Sequence, residues 1–420
     1  MLDSAAWDWE TTEKQIDLSA WPDQYNWVEE YYANPDGRSI AAIVNVDEGE
    51  FTVCVNGQPW ENSFDKIWHL RYLADGRLCA IVSEGGEWTV AVDGAAWENR
   101  FGYVWNPLFS ADGKAIAVAA QQDMRYCMVL NGTPWDTDFT NMTYFALSPD
   151  GSATGAAVQT VDADSGEIFK FQEGTFTAAL NGKAWDSKFV NVWNVAVSPD
   201  NQHLAAEVRL NLYDYTIAVD GKAWDTMYQG VWEPVFHPSG GKVTAPVRRG
   251  GKWFMACDDH LIWDQAFVQL WHQQYNSDGS RLAAIVAPRY GRWTVAVDGT
   301  PWSATFSDMV NDLRFSPDGR RIAALAKEGS LWTVVVDGQV WRTAFDMAFA
   351  PVFSPDGQHV AAKVEKAGKW TYAVDDKLWT QACDMVWDPV FSPMGDKLLV
   401  RSVENGVFFR RIVPVQQIIK

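Results

Sequence analysis

The residue types that most often do chemistry are few in this chain and lie far apart. The six histidines are His69, His203, His237, His260, His272 and His359, and none stands in an H-x-x-x-H or H-E-x-x-H spacing. Such a spacing puts two imidazoles on one helical face, so a zinc hydrolase of that kind is not expected. The five cysteines, Cys54, Cys79, Cys127, Cys257 and Cys383, are odd in number and form no C-x-x-C pair. They read as small apolar strand residues, not as a zinc ribbon, a haem attachment or a disulfide framework. No G-x-S-x-G elbow, Walker A loop or G-x-G-x-x-G turn occurs, so neither a nucleophilic serine nor a phosphate cradle is indicated. Asp162-Ala163-Asp164-Ser165-Gly166-Glu167 comes nearest to a calcium loop, but without the full ligand string it reads as a solvated acidic loop. The expectation is no catalytic constellation, no metal and no cofactor.

The elements that would have to position such residues are repeats. A turn of the type S-P-D-G recurs at Gly37, Gly76, Gly113, Gly151, Asn201, Gly240, Gly279, Gly319, Gly357 and Gly395, with a period of 37–40 residues and one step of 50. Between the turns stands [D/N]-G-x-x-W, at Trp60, Trp97, Trp135, Trp185, Trp224, Trp302 and Trp341, with degenerate copies ending in Trp263 and Trp379. Trp21, with Asp17 in the Asp slot, supplies a tenth copy. In one period, 310–315 reads as a strand running into Ser316-Pro317-Asp318-Gly319. Strands at 321–325 and 332–336 follow, then an Asp337-Gly338 hairpin and a fourth strand near Trp341. Proline presets the first turn, and Asp-Gly supplies the positive φ of a type I′ hairpin. Four short antiparallel strands per period of about 40 residues make a propeller blade.

The expected fold is therefore an all-β propeller of about ten four-stranded antiparallel blades spanning 17–413. The insertion at about 160–174 falls inside the fourth repeat; 1–16 is an N-terminal extension and 414–420 a C-terminal tail. Two five-bladed propellers, exchanging closing strands at Trp224, are the alternative. The last repeat lacks a D-G-x-x-W strand, and Leu18-Ser19-Ala20-Trp21-Pro22-Asp23 is expected to complete it and remove a free edge. The repeat also explains the 24 tryptophans. Besides the motif positions they share an aromatic slot five residues before each hairpin, and Trp68, Trp105, Trp193, Trp232, Trp271 and Trp387 stand eight residues after a motif tryptophan. Both classes are expected to fill the wedge between blades.

Two sets of residues stand out against this regularity. Nine residues after the motif tryptophan, early in the expected innermost strand, stand Glu30, His69, Asn106, Tyr144, Asn194, Glu233, His272, Asn311, Ala350 and Asp388. Eight of these, Glu30, His69, Asn106, Asn194, Glu233, His272, Asn311 and Asp388, are candidates for a small-molecule or peptide site at a channel mouth, or simply line a wet channel. The second set lies in the loops between second and third strands. Those of repeats one, two and four are acidic (Asp47, Glu48, Glu50, Glu84, Glu87, Asp162, Asp164, Glu167, Glu173), while repeats six and seven carry Arg248, Arg249, Lys252, Arg289 and Arg292. These five cations, with Trp7 and Trp9 before the first repeat, are the partner-docking candidates.

Composition narrows the partners. With 34 Lys+Arg against 54 Asp+Glu the net charge is -20, which disfavours nucleic acid and electrostatic attraction to anionic lipid. Apolar residues at 47% against 21% charged exclude disorder. No secretory signal or transmembrane run is read from the sequence, so a cytoplasmic protein is expected.

The F-S-P-D-G-x-x-I-A-A core at 315–324 resembles the WD40-like Pro-Asp repeats of TolB-type propellers, and the resemblance covers nearly the whole chain. Ala218-Val219-Asp220-Gly221-Lys222-Ala223-Trp224 is similar to the tryptophan-docking motif of pyrroloquinoline-quinone dehydrogenases, without their cofactor loops or calcium site. The composition and the repeated D-G-x-x-W resemble the tryptophan-rich, TmcD-type subunits of the Tmc transmembrane redox complex of sulfate-reducing bacteria. That resemblance implies a non-catalytic cytoplasmic scaffold held at the inner face of a membrane by partners such as an iron–sulfur subunit. A small-ligand-binding propeller is the alternative, and a propeller hydrolase or lyase a third.

Overall fold

A computed structural model describes residues 4–162 and 167–420. They form a β-propeller of ten four-stranded antiparallel blades, at 27–59, 66–96, 103–134, 141–184, 191–223, 230–261, 269–301, 309–340, 347–378 and 385–414. In the sixth, ninth and tenth blades the first strand is broken into two short pieces that pair with the same second strand. The helices among the described residues are three single turns, Trp21–Gln24, Ile168–Gln172 and Val415–Ile418. The chain divides into two compact units. One comprises Ile81–Pro288 with Asp298–Thr300; the other comprises the described residues up to Ala80, Arg289–Val297 and Pro301–Lys420. Blades three to six lie wholly in the first unit, and blades one, eight, nine and ten wholly in the second.

Each blade is held by the chemistry of its turns. Ser316 Oγ donates to Asp318 Oδ1 at 2.6 Å and accepts from Arg321 N at 2.9 Å, which locks the S-P-D-G turn. In the other turn Asp337 has φ 51°, and its Oδ1 accepts from Ile322 N at 2.8 Å. The side chain thus ties the hairpin to the root of the second strand, as Asn131 does to Ile116 and Asp220 to Leu204. Asn and Asp suit this slot because they tolerate left-handed backbone and carry an acceptor.

Second strands such as Ile322-Ala323-Ala324-Leu325-Ala326 are buried at every position, because both of their faces meet other strands. Their alanines let neighbouring blades approach, and the apolar clusters run from blade to blade. One joins blades three and four through Met128, Phe139 and Val158. Another joins blades five and six through Ile217, Val231 and Val247.

Closure of the tenth blade follows the expected plan with a different segment. The strand is Glu13–Asp17, paired with Val407–Pro414 in the register Glu13↔Arg411 to Asp17↔Val407. Leu18 to Asp23 does not form it. Pro22 suits the start of a helical turn, so the chain folds back there and buries Trp21 with Val403, Phe408 and Ile40, between blades ten and one. Two buried arginines seal the join. Arg410 donates to Asp36 O at 3.0 Å, Thr11 O at 3.1 Å and Asp8 O. Arg401 reaches Asn34 O at 2.9 Å and Asp388 O at 2.6 Å. The strand exchange that two five-bladed propellers would need at Trp224 does not occur, because Lys222–Ala223 pairs within its own blade. At the other end Val415 and Ile418 are buried against the ninth and tenth blades.

Candidate functional site

The repeated tryptophan is a docking device, and its seat is the glycine of the next blade's hairpin. A Cβ on Gly182, where φ is +79°, would lie 3.2 Å from Cβ and Cγ of Trp135. Trp97 sits in the same way on Gly132, Trp185 on Gly221, Trp263 on Gly299 and Trp302 on Gly338. Glycine is required twice over, for the left-handed backbone and for the ring laid against it. The aromatics eight residues after the motif make a second set of contacts. They pack on the aromatic slot of their own blade, and Trp105 also reaches Phe145 of the next blade, with ring centroids 6.0 Å apart. Trp232 stacks on Trp253 at 5.3 Å, and Trp193 on Tyr215 at 6.1 Å.

Two hairpins break the rule. Asp258-Asp259 and Asp375-Asp376 carry an aspartate where the others carry glycine, and Asp259 and Asp376 still adopt φ 68° and 67°. Their carboxylates grip the loop behind the preceding tryptophan. Asp259 accepts from Thr226 N, Thr226 Oγ1 and Tyr228 OH, each at 3.0 Å. Asp376 accepts from Arg342 N and Thr343 N at 2.9 Å. At each of these hairpins a cleft opens beside the motif tryptophan. The cleft between blades five and six is about 410 Å³ and is lined by Trp224, Phe236, His203, Lys222, Asp220, Asp225, Asp258 and Asp259. The cleft between blades eight and nine is about 420 Å³, with Trp341, Arg321, Arg342, Gln339, Gln358, Asp337, Asp375 and Asp376 among its residues. These residues were not among the sequence candidates. The signal was nonetheless present, in the two hairpins that read D-D instead of D-G.

The channel-mouth candidates lie, as expected, in or beside the first strands of their blades. For His69, Asn106, Asn194 and His272 the polarity has a backbone cause. His69, Asn106, Tyr144, Asn194 and His272 have φ between 37° and 55°. The register slips at this point in the blades of Glu30, Asn106, Asn194, His272 and Asn311. Asn and His are favoured at a left-handed bulge irrespective of any ligand. Some are nevertheless joined. In the first unit Asn194 Nδ2 donates to Glu207 Oε2 at 2.8 Å, and His272 N donates to Glu233 Oε1 at 3.0 Å. Burial, reinforced by the Glu233 carboxylate, pushes the Glu207 carboxyl up to about 7, against the Asn194 hydrogen bond. Burial also opposes ionisation of Glu233, but its bonds from His272 prevail and hold it below the usual carboxylate range. In the second unit Asp388 pairs with Lys363 at 3.2 Å, and Asn311 Oδ1 is buried without a partner.

The docking candidates divide between the two units. Arg248, Arg249 and Lys252 are exposed at the second–third hairpin of blade six, in the first unit. Arg289 and Arg292 belong to the second, where Arg292 is already committed to Glu328 at 2.9 Å and to Thr305. Trp7 and Trp9 are half-buried and stack on each other at 6.3 Å. The corresponding connections of blades three to five carry exposed apolar side chains that the sequence reading passed over: Met124, Ile168 and Phe169, and Leu212 and Tyr213. Of the acidic string in the repeat-four insertion, Ala163 to Gly166, including Asp164, lies outside the described residues. Beyond it the chain forms the helical turn Ile168–Gln172.

The thiols are poorly placed for nucleophilic chemistry. Burial pushes Cys54 upward and, with the Glu404 carboxylate, pushes Cys383 up to about 12. His203 and His359, at equivalent turns, each meet a hairpin aspartate at 2.5 Å, Asp220 and Asp375. Among the described residues no group of three or more His, Cys, Asp or Glu could hold a metal ion. Among the described residues no helix is long and apolar enough to cross a membrane.

With this architecture the chain is a β-propeller, and known proteins add little to that assignment. No protein family matches it and no curated protein matches it. It is similar in structure to a eukaryotic initiation factor at 12% identity, over 88% of this chain and 98% of that one, with a TM-score of 0.41. It is also similar to the Myceliophteria thermophila Cps50 (Swd1) β-propeller domain at 13% identity, over 65% and 97%, with a TM-score of 0.32. Likenesses this distant carry no argument about function, so the fold rests on the ten sheets themselves.

Proposed function

We propose that the chain is a non-catalytic docking subunit on the cytoplasmic side of a membrane-associated electron-transfer complex, and that it holds an acidic partner such as an iron–sulfur subunit. The observation that carries this reading is the row of second–third connections on blades three to six. Met124, Phe169 and Tyr213 are 79%, 81% and 79% exposed, and the next hairpin presents Arg248, Arg249 and Lys252, which form no ion pair among the described residues. Apolar anchors beside a cationic rim suit an acidic protein surface: the anchors supply affinity, and the charges supply steering. The resemblance to tryptophan-rich redox-complex subunits supports the setting.

The test uses the tagged chain as bait on detergent-solubilised membranes of its source, compared with R248E/R249E/K252E and F169S/Y213S variants. Stable redox-complex subunits should co-purify with the unaltered chain and be lost with both variants. Capture of the same proteins by all three would overturn the assignment of the face. Absence of any membrane-complex subunit would overturn the setting. A second reading, a small-ligand-binding propeller, is favoured by the two clefts.

A further inference from the structure

We propose that the cleft between blades five and six binds an organic cation of the guanidinium or alkylammonium type. Its volume of about 410 Å³ lies within the range of small-ligand sites, roughly 300–1,000 Å³. The cleft lies where the sixth blade's hairpin carries Asp259 in place of the glycine that seats the tryptophan at other junctions, and Trp224 and Phe236 line it as aromatic residues.

The polar lining selects the sign of the ligand. Four carboxylates face one lysine, Lys222, and one imidazole, His203. Two of the four are largely used up: Asp259 by Thr226 and Tyr228, and Asp220 by Leu204 N and the His203 ring. Asp258 spends only Oδ1, on Val243 N, and Asp225 has no partner among the described residues. Carboxylate oxygens with unspent lone pairs beside an indole accept a planar N–H fork and a cation over the ring, and they repel anions.

The cleft between blades eight and nine serves as a built-in control. It has the same frame, with Asp376 at the glycine position and Trp341 as the motif tryptophan. Arg342 stands where the first cleft has Asp225, and Arg321 where it has His203. The same reasoning gives that cleft no cation.

Titration calorimetry of the intact chain with agmatine should show one saturable site per chain. The D225R variant, which imports the eighth-blade residue, should weaken binding at least about tenfold. D259G restores the consensus hairpin and should close the cleft, abolishing binding while far-UV circular dichroism stays unchanged. No saturable heat with the unaltered chain, equal affinity in D225R, or two sites per chain would each overturn the proposal. If D259G does not fold, D225R decides alone. A second arm titrates the peptide acetyl-Gly-Arg-Gly-amide. Binding of both probes identifies an arginine side chain of a protein as the natural source, whereas binding of agmatine alone identifies a free small cation; either result supports the site.

Discussion

Gly182→Ala tests the docking of tryptophan on glycine most directly. The substitution adds one methyl group at φ +79°, 3.2 Å from Cβ and Cγ of Trp135. Forcing an L-residue into the left-handed region costs about 1–2 kcal/mol, and overpacking a filled contact adds about 1–3 kcal/mol. The sum is a loss of about 2–5 kcal/mol. Gly251→Ala is the matched control in the same unit, with φ +75° and no atom within 4 Å of the added carbon. It should lose only the backbone part, about 1–2 kcal/mol. Urea denaturation followed by tryptophan fluorescence measures both midpoints. The emission maximum of native Gly182→Ala should also shift as Trp135 leaves its seat. If Gly182→Ala is no more destabilised than Gly251→Ala, the ring is not seated on the glycine, and the account of the repeated motif is wrong.

Two further outcomes are expected. The Glu207 carboxyl is raised in the folded chain to about 7, so the native state binds a proton that the unfolded chain has already released. Stability should therefore fall as pH rises from about 4.5 to about 7, by something on the order of 3 kcal/mol. Glu207→Gln should flatten that segment of a denaturation-versus-pH curve; a parallel curve would show that Glu207 does not titrate there. Deleting residues 1–25 should strip the partner from the edge of Val407–Pro414 and take two acceptors from Arg410, which predicts aggregation on expression. A soluble truncation with an unchanged melting temperature would contradict the closure.

Much of the blade was legible in the sequence because its determinants are local. Asn131-Gly132 or Asp337-Gly338 dictates a hairpin within four residues, and Ser316-Pro317-Asp318-Gly319 dictates the turn before it. The spacing of tryptophans gave away their class for the same reason. The candidate site was less legible. Polarity at Asn106, Asn194 and His272 is equally consistent with a ligand and with a left-handed bulge, and only φ separates the two. The apolar tips at Phe169 and Tyr213 were passed over because a phenylalanine or tyrosine carries no mark of exposure.

The sequence by itself determined the repeat, the all-β class, the turn types, the number of blades and the completion of the last blade by the N-terminus. These follow from turn chemistry and period, which act over a few residues. The tertiary structure decided which N-terminal residues form the closing strand, because Glu13–Asp17 and the buried Trp21 compete for one edge and only packing against Phe408 ranks them. It also decided that Asp-Asp at 258–259 and 375–376 marks a cleft, since a missing glycine has meaning only once the tryptophan that would rest on it comes from the blade before.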